Sequence, residues 1–138
     1  MTEVLGDFTL IRRVVGVDDF VRLRQITGLT PRPRAAAEKG LPRSLYGVHI
    51  CHDDRAIAMG RVVGDGALNF EVVDVAVAPD FQGQGLGRAI MQSIMDYLNS
   101  EAPEGAYITL MADVPELYLK FGFDYSRPAS EGMYILQS

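Results

Sequence analysis

Period-two runs and period-3.6 runs follow one another along the chain, and they divide it into elements. Phe8 to Val15 (FTLIRRVV) is short and rich in β-branched residues, which predicts a first strand. Asp18 or Asp19 can cap a helix in which Phe20, Leu23 and Ile26 or Thr27 recur at helical spacing, and Gly28 ends it. Pro31 and Pro33 interrupt the pattern before a short helix over Ala35 to Lys39. Ser44 to Cys51 alternates as a strand does. Asp53-Asp54 is a turn, and Arg55 to Val63 is the return strand of a hairpin. After Gly64-Asp65-Gly66 comes a long strand, Ala67 to Ala78. These three runs predict an antiparallel meander.

The meander feeds a glycine-rich loop, Gln82-Gly83-Gln84-Gly85-Leu86-Gly87-Arg88, and then a helix to about Ser100. Leu86, Ile90, Ile94 and Leu98 are spaced by four and form its sheet-facing stripe. Pro103-Glu104-Gly105 breaks the chain before a buried strand at Ala106 to Ala112. Pro115 suits the first turn of a helix over Glu116 to Phe121, with Gly122 as its stop. Phe123 to Ser126 and Met133 to Gln137 read as short terminal strands. The order predicts an α/β fold with a mixed sheet, formed as one domain over residues 1–138.

Composition narrows the chemistry. A chain of 138 residues suits one domain, and 48% hydrophobic residues supply a core. The net charge of −5, with no long basic tract, argues against nucleic acid as a partner. Cys51 is the lone cysteine, so no internal disulfide forms, which fits a reducing compartment. No apolar run is long enough to span a bilayer, and MTEVLGDFTL lacks a basic apolar signal pattern, so a cytoplasmic protein without a membrane partner is expected. His49, Cys51 and His52 lie close together, but no second cluster completes a metal site, and no metal is expected. Arg32, Arg34, Lys39 and Arg43 make one basic segment, which reads either as a solvated loop and helix or as a substrate entrance.

The loop carries the most chemistry. Glycines between a strand and a helix let backbone N–H groups converge on an anion. The helix N-terminus adds partial positive charge there, and Arg88 adds a cation in the first turn. The dinucleotide fingerprint G-x-G-x-x-G does not fit, because Arg88 stands where its last glycine belongs. A Walker loop would end in glycine-lysine-hydroxyl, which is missing.

The stretch Val75-Ala76-Val77-Ala78-Pro79-Asp80-Phe81-Gln82-Gly83-Gln84-Gly85-Leu86-Gly87 resembles the acetyl-CoA motif of the GNAT superfamily of N-acetyltransferases. That motif is a V-x-V strand end, a proline-acidic turn and Q/R-x-x-G-x-G/A. Leu117-Tyr118-Leu119-Lys120-Phe121-Gly122-Phe123 is similar to the family's F-Y-x-x-x-G-F ending. The element order also resembles the family's over nearly the whole chain. The resemblance implies a GNAT-like fold with acetyl-CoA as cosubstrate. Gln82 to Arg88 would hold its diphosphate, and backbone groups of Val75, Ala76 and Val77 would pair with its pantetheine arm. Tyr118 would be the acid that protonates the leaving thiolate; a phenol with a pKa near 10 keeps its proton at neutral pH. Two candidates stand for the base that takes the amine's proton. Glu71 falls at the position of the glutamate base of the histone-acetylating branch. Asp74 has the opposite strand parity unless a bulge intervenes. Many members also carry an asparagine before the tyrosine helix; here the connection is Ala112-Asp113-Val114-Pro115-Glu116.

These features imply acetyl transfer to a primary amine of a small molecule by direct attack in a ternary complex, since Cys51 lies away from both motifs. The alternatives are a non-catalytic acyl-CoA-binding regulatory module and a protein or peptide N-acetyltransferase. The partners expected are acetyl-CoA and a small amine, with a homodimer left open as the assembly.

Overall fold

The alternating runs form one six-stranded sheet in the computed structural model, which describes residues 2–138. Strands β1 (Thr2–Leu5) and β2 (Phe8–Ile11) make a hairpin, with Gly6 at a φ of 64° in the turn. β3 (Tyr46–His52) and β4 (Arg55–Gly64) turn through Asp53 and Asp54, at φ 51° and 63°. Aspartate tolerates that left-handed region better than most side chains. β5 (Asn69–Val77) completes the antiparallel part, and β6 (Tyr107–Leu110) joins its edge in parallel. The strands lie in sequence order from β1 to β6.

Helices cover both faces. α3 (Leu86–Glu101) lies on one, burying Leu86, Ile90, Met91, Ile94 and Leu98 as its period-four stripe requires. Ser93, buried on the same helix, shares a 2.6 Å hydrogen bond with the Tyr46 hydroxyl, and Tyr46 stacks on Tyr97. α1 (Val17–Ile26) covers the other face with Phe20 and Leu23, and α2 (Arg34–Gly40) packs against α1 with Ala37 buried. α4 (Pro115–Leu119) is a short helix after β6, with the proline in its first turn.

Four expectations are corrected. The first strand stops at Ile11 instead of reaching Val15, and it gains β1 as a partner in front of it. Neither Asp18 nor Asp19 caps α1: Gly16 holds the cap position with no side-chain bond, while the two carboxylates pair with Arg34 and Arg22. The terminal strands Phe123 to Ser126 and Met133 to Gln137 do not form, because neither segment meets a strand edge to complete its hydrogen bonds. Strict alternation along β5 fails at Asp74, which has a φ of 60°.

That last departure is a β-bulge. Met59 pairs with Ala76 and Arg61 with Val73, so Asp74 and Val75 together oppose Gly60. The extra residue exchanges the two faces. Val72 pairs through Val62 to Tyr46 on the α3 face, yet Val75 and Val77 also point to α3. Asp74 points to α1.

Gly60 is where α3 comes closest to the bulge. A Cβ there would lie 2.7 Å from Ile90 Cγ2 and 3.0 Å from Ile94 Cδ1. Gly60→Ala is therefore expected to lower stability by about 1–3 kcal/mol through overpacking. The measurement is the urea midpoint at unchanged slope; an unmoved midpoint would show that α3 yields freely.

Candidate active site

The bulge ends one ladder and exposes an edge. β5 pairs with β6 only as far as Val72 opposite Leu110. From Val73 to Val77 that side of β5 has no strand neighbour among the described residues. The Ala78 N–H donates to Ile57 on the β4 side, so the Val77 carbonyl points the other way, to the open edge. There it accepts a 3.1 Å hydrogen bond from Gln82 Nε2. The glutamine thus ties the loop back onto the strand.

A cavity of about 520 Å³ runs along this edge. Val75, Ala76, Val77, Gln82, Gly83, Gly85, Leu86 and Gly87 line one side, and Leu117 and Tyr118 of α4 line another. Asp74 also reaches it. Glu71, Gln84 and Arg88 do not line it; Arg88 is exposed beside it in the first turn of α3. Thr27 and Leu29 after α1, with Met111, Asp113 and Val114 after β6, complete the wall. No local motif marks Thr27, Leu29 or Met111, since they come from segments that only the fold brings together, whereas Asp113 and Val114 lie in the connection before the tyrosine helix. None of Arg32, Arg34, Lys39 and Arg43 lines the cavity.

The loop end has the properties of an anion cradle. Gly83 and Gly85 have φ of 79° and 81°, and a Cβ on either would meet nothing within 4 Å. Their lack of side chain therefore serves the left-handed turn and keeps open the space in front of the loop. Gly85 is the N-cap of α3 with no side chain bonded to the first turn, and that turn carries no acidic residue. The first intrahelical bond runs from the Ala89 N–H to the Gly85 carbonyl, so earlier amides are left for an outside acceptor. These residues fit a diphosphate.

A buried charge cluster stands at the other end. Asp74 accepts from Arg24 Nη1 at 2.5 Å through one oxygen and from Arg61 Nε through the other. Arg24 also donates to the Thr30 carbonyl at 2.6 Å, and Arg61 to the Ser44 hydroxyl at 3.1 Å. Burial pushes the Arg24 guanidinium down from its ordinary value, opposed by Asp74. The sequence marked Asp74 as a carboxylate but not the two arginines that occupy it.

Tyr118 is half-buried, edge-on to Phe123 with ring centres 6.3 Å apart. Burial raises its phenol pKa first, and the charge of Asp113 raises it further. Its proton is therefore retained across the neutral range. Cys51 lies on β3, outside the cavity wall, and burial raises its thiol. His49 is buried with Nδ1 2.7 Å from the Arg13 carbonyl, and burial lowers its pKa. No group of three or more potential metal ligands occurs among the described residues. No helix among them is long and apolar enough to cross a membrane.

Comparison with known proteins places this architecture. Residues 44–125 match the acetyltransferase (GNAT) domain family. Histone acetyltransferase TAP1 of Glycine max is 34% identical over 133 residues, covering 87% of this chain and 57% of that protein. Serotonin N-acetyltransferase 2, chloroplastic, of Oryza sativa subsp. japonica is 34% identical over 84 residues, covering 61% of this chain and 42% of that one. This chain thus spans about half the length of either relative. Among solved structures, a protein of unknown function from meticillin-resistant Staphylococcus aureus, named a probable acetyltransferase, superposes with a TM-score of 0.90 at 43% identity, covering 94% of this chain and 99% of that one.

Two variants separate the ends of the cavity. Gly85→Glu puts a carboxylate into the cradle and a side chain at positive φ, so acetyl-CoA binding by calorimetry is expected to vanish; retained affinity would mean the diphosphate sits elsewhere. Asp74→Asn keeps shape and left-handed tolerance but leaves Arg24 buried without its counter-charge. It is expected to cost about 3 kcal/mol in chemical denaturation, and a loss below about 1 kcal/mol would show that water reaches the arginines.

Proposed function

The chain belongs to the GNAT acetyltransferase family, and on that footing we propose that it transfers the acetyl group of acetyl-CoA to a primary amine of a small molecule by direct attack in a ternary complex. The observation that carries this reading is the single cavity shared by the open edge of β5, the glycine loop and Tyr118. Acetyl-CoA supplies an activated thioester; the chain supplies position, dipoles and a proton. The first-turn amides of α3 and the loop from Gln82 to Gly87 hold the diphosphate, with Arg88 as an adjacent cation. Backbone groups between Val73 and Val77 on the free edge orient the pantetheine arm as an added strand would be oriented, and an N–H there is the donor to the carbonyl oxygen.

Tyr118 is the proton donor. Its raised pKa keeps the phenol neutral, and a neutral phenol can give its proton to a thiolate as the carbon–sulfur bond breaks. The two candidate bases differ. Both Asp74 oxygens are held by arginines, which leaves that carboxylate a structural partner for α1 and β4. Glu71 has no ion-pair partner among the described residues and precedes the cavity wall by one residue. It is the carboxylate free to take the amine's proton through water. Cys51 is no wall residue and its thiol is raised, which supports direct attack over an acetyl-cysteine.

The acceptor end is lined by Thr27, Leu29, Met111 and Val114, which suits a small amine with an apolar body. A protein or peptide acceptor is the second reading, favoured by the relative named a histone acetyltransferase. A turnover screen with acetyl-CoA over small amines, amino acids and peptides, reading free thiol, decides between them. Turnover with small amines is expected. Turnover confined to peptides would move the assignment to the second reading, and acetyl-CoA binding without any turnover would make the chain a binding module. Tyr118→Phe is expected to lower turnover at least about tenfold with acetyl-CoA affinity nearly unchanged. Full turnover in that variant would remove Tyr118 as the acid.

A further inference from the structure

Charge on the cavity wall is one-sided. Of the residues that line it, only Asp74 and Asp113 carry a charged side chain at neutral pH. Asp74 is committed to Arg24 and Arg61, and neither arginine is on the wall. Asp113 is exposed and has no ion-pair partner among the described residues. It is the one uncommitted charge on the wall.

The cations lie elsewhere. Arg88 stands beside the glycine loop, at the diphosphate end. Arg34 pairs with Asp18, and Arg32, Lys39, Arg43 and Lys120 are also off the wall. Glu71, one residue before the wall, adds negative charge. Asp113 is placed at the reacting end: it lies between Met111 and Val114 of the acceptor end, and its charge acts on the phenol of Tyr118. An acceptor whose body crosses Thr27, Leu29, Met111 and Val114 therefore meets a negative charge there. A carboxylate on that body would face Asp113 with no wall cation to pair with, whereas an ammonium would face an opposite charge.

Resting on the reading of the chain as a small-amine acetyltransferase, we propose that the acceptor is a diamine and that Asp113 selects it. One nitrogen reacts while the other, still protonated, pairs with Asp113; amines that carry a carboxylate are disfavoured. The reacting nitrogen first loses its proton to Glu71 through water. It then bonds to the thioester carbon, the carbon–sulfur bond breaks, and the leaving thiolate takes the proton of Tyr118. The second ammonium takes no part in these steps, so its pairing acts on acceptor choice.

The test uses three acceptors with the same four-carbon body: putrescine, n-butylamine and γ-aminobutyrate, which end in an ammonium, a methyl group and a carboxylate. kcat/KM is measured for each with acetyl-CoA saturating, in the full chain and in Asp113→Asn. The ratio of putrescine to n-butylamine is expected to fall about threefold to fivefold in the variant, the range open to a pair at an exposed carboxylate. The ratio of γ-aminobutyrate to n-butylamine is expected to rise. Any effect of Asp113 through Tyr118 is common to the three acceptors and cancels in these ratios. Raising salt to about 0.5 M should shrink the putrescine preference of the unsubstituted chain in the same direction, which checks the pairing without a substitution. Turnover with ratios that neither the variant nor salt moves overturns this proposal and leaves the small-amine reading standing. Acetyl-CoA binding without turnover of any of the three overturns both.

Discussion

The site depends on Asp74 and the two arginines that hold it. An aspartate in the left-handed region costs on the order of 1–2 kcal/mol of backbone energy. Two hydrogen bonds to charged donors contribute about 1.5–3 kcal/mol each, so the balance favours the bulge while the arginines are in place. The contact is long-range in the chain: Arg24 stands on α1 and Arg61 on β4. One side chain therefore joins a helix, a strand and a distorted strand end. The same bonds tie the Thr30 segment after α1 to the sheet.

Consequences spread from that point in both directions along β5. Before the bulge, Val72 faces α3 and the strand pairs with β6. After it, Val75 and Val77 face α3 and the β6 side is open. β6 ends at Leu110, opposite Val72, so the bulge and the strand end beyond it lie along an open edge. The glycine loop lies at the end of that edge because it follows β5 in sequence. Strand edge, left-handed glycines and helix N-terminus need no distant packing to come together; they are consecutive.

This explains which parts were legible in the sequence. Helix α3, its apolar stripe, the meander and the cradle rest on local patterns, and each lies within a residue or two of its expected place. The face assignments of β5 rest on a contact across fifty positions, from Arg24 to Asp74, and alternation alone places Glu71 and Val75 on one face when the bulge separates them. The wall beyond the strand edge was illegible for the same reason: Thr27, Leu29 and Met111 carry no motif and meet only in the fold. β1 was missed because four residues before a glycine turn form a strand only when β2 is there to pair with them. The terminal runs have strand composition, but composition does not supply an edge.

Tyr118 shows how the two kinds of information combine. The motif names the residue, but its protonation depends on a pKa, and a pKa depends on surroundings. Burial against Phe123 and the wall of the cavity disfavours the phenolate, and Asp113 adds a second negative charge that disfavours it further. Asp113 lies in the connection between β6 and α4, where the family resemblance leads to the expectation of an asparagine. An amide there would be neutral; a carboxylate instead raises the neighbouring phenol. The departure from the family pattern thus falls where it adds to burial in raising the phenol of Tyr118.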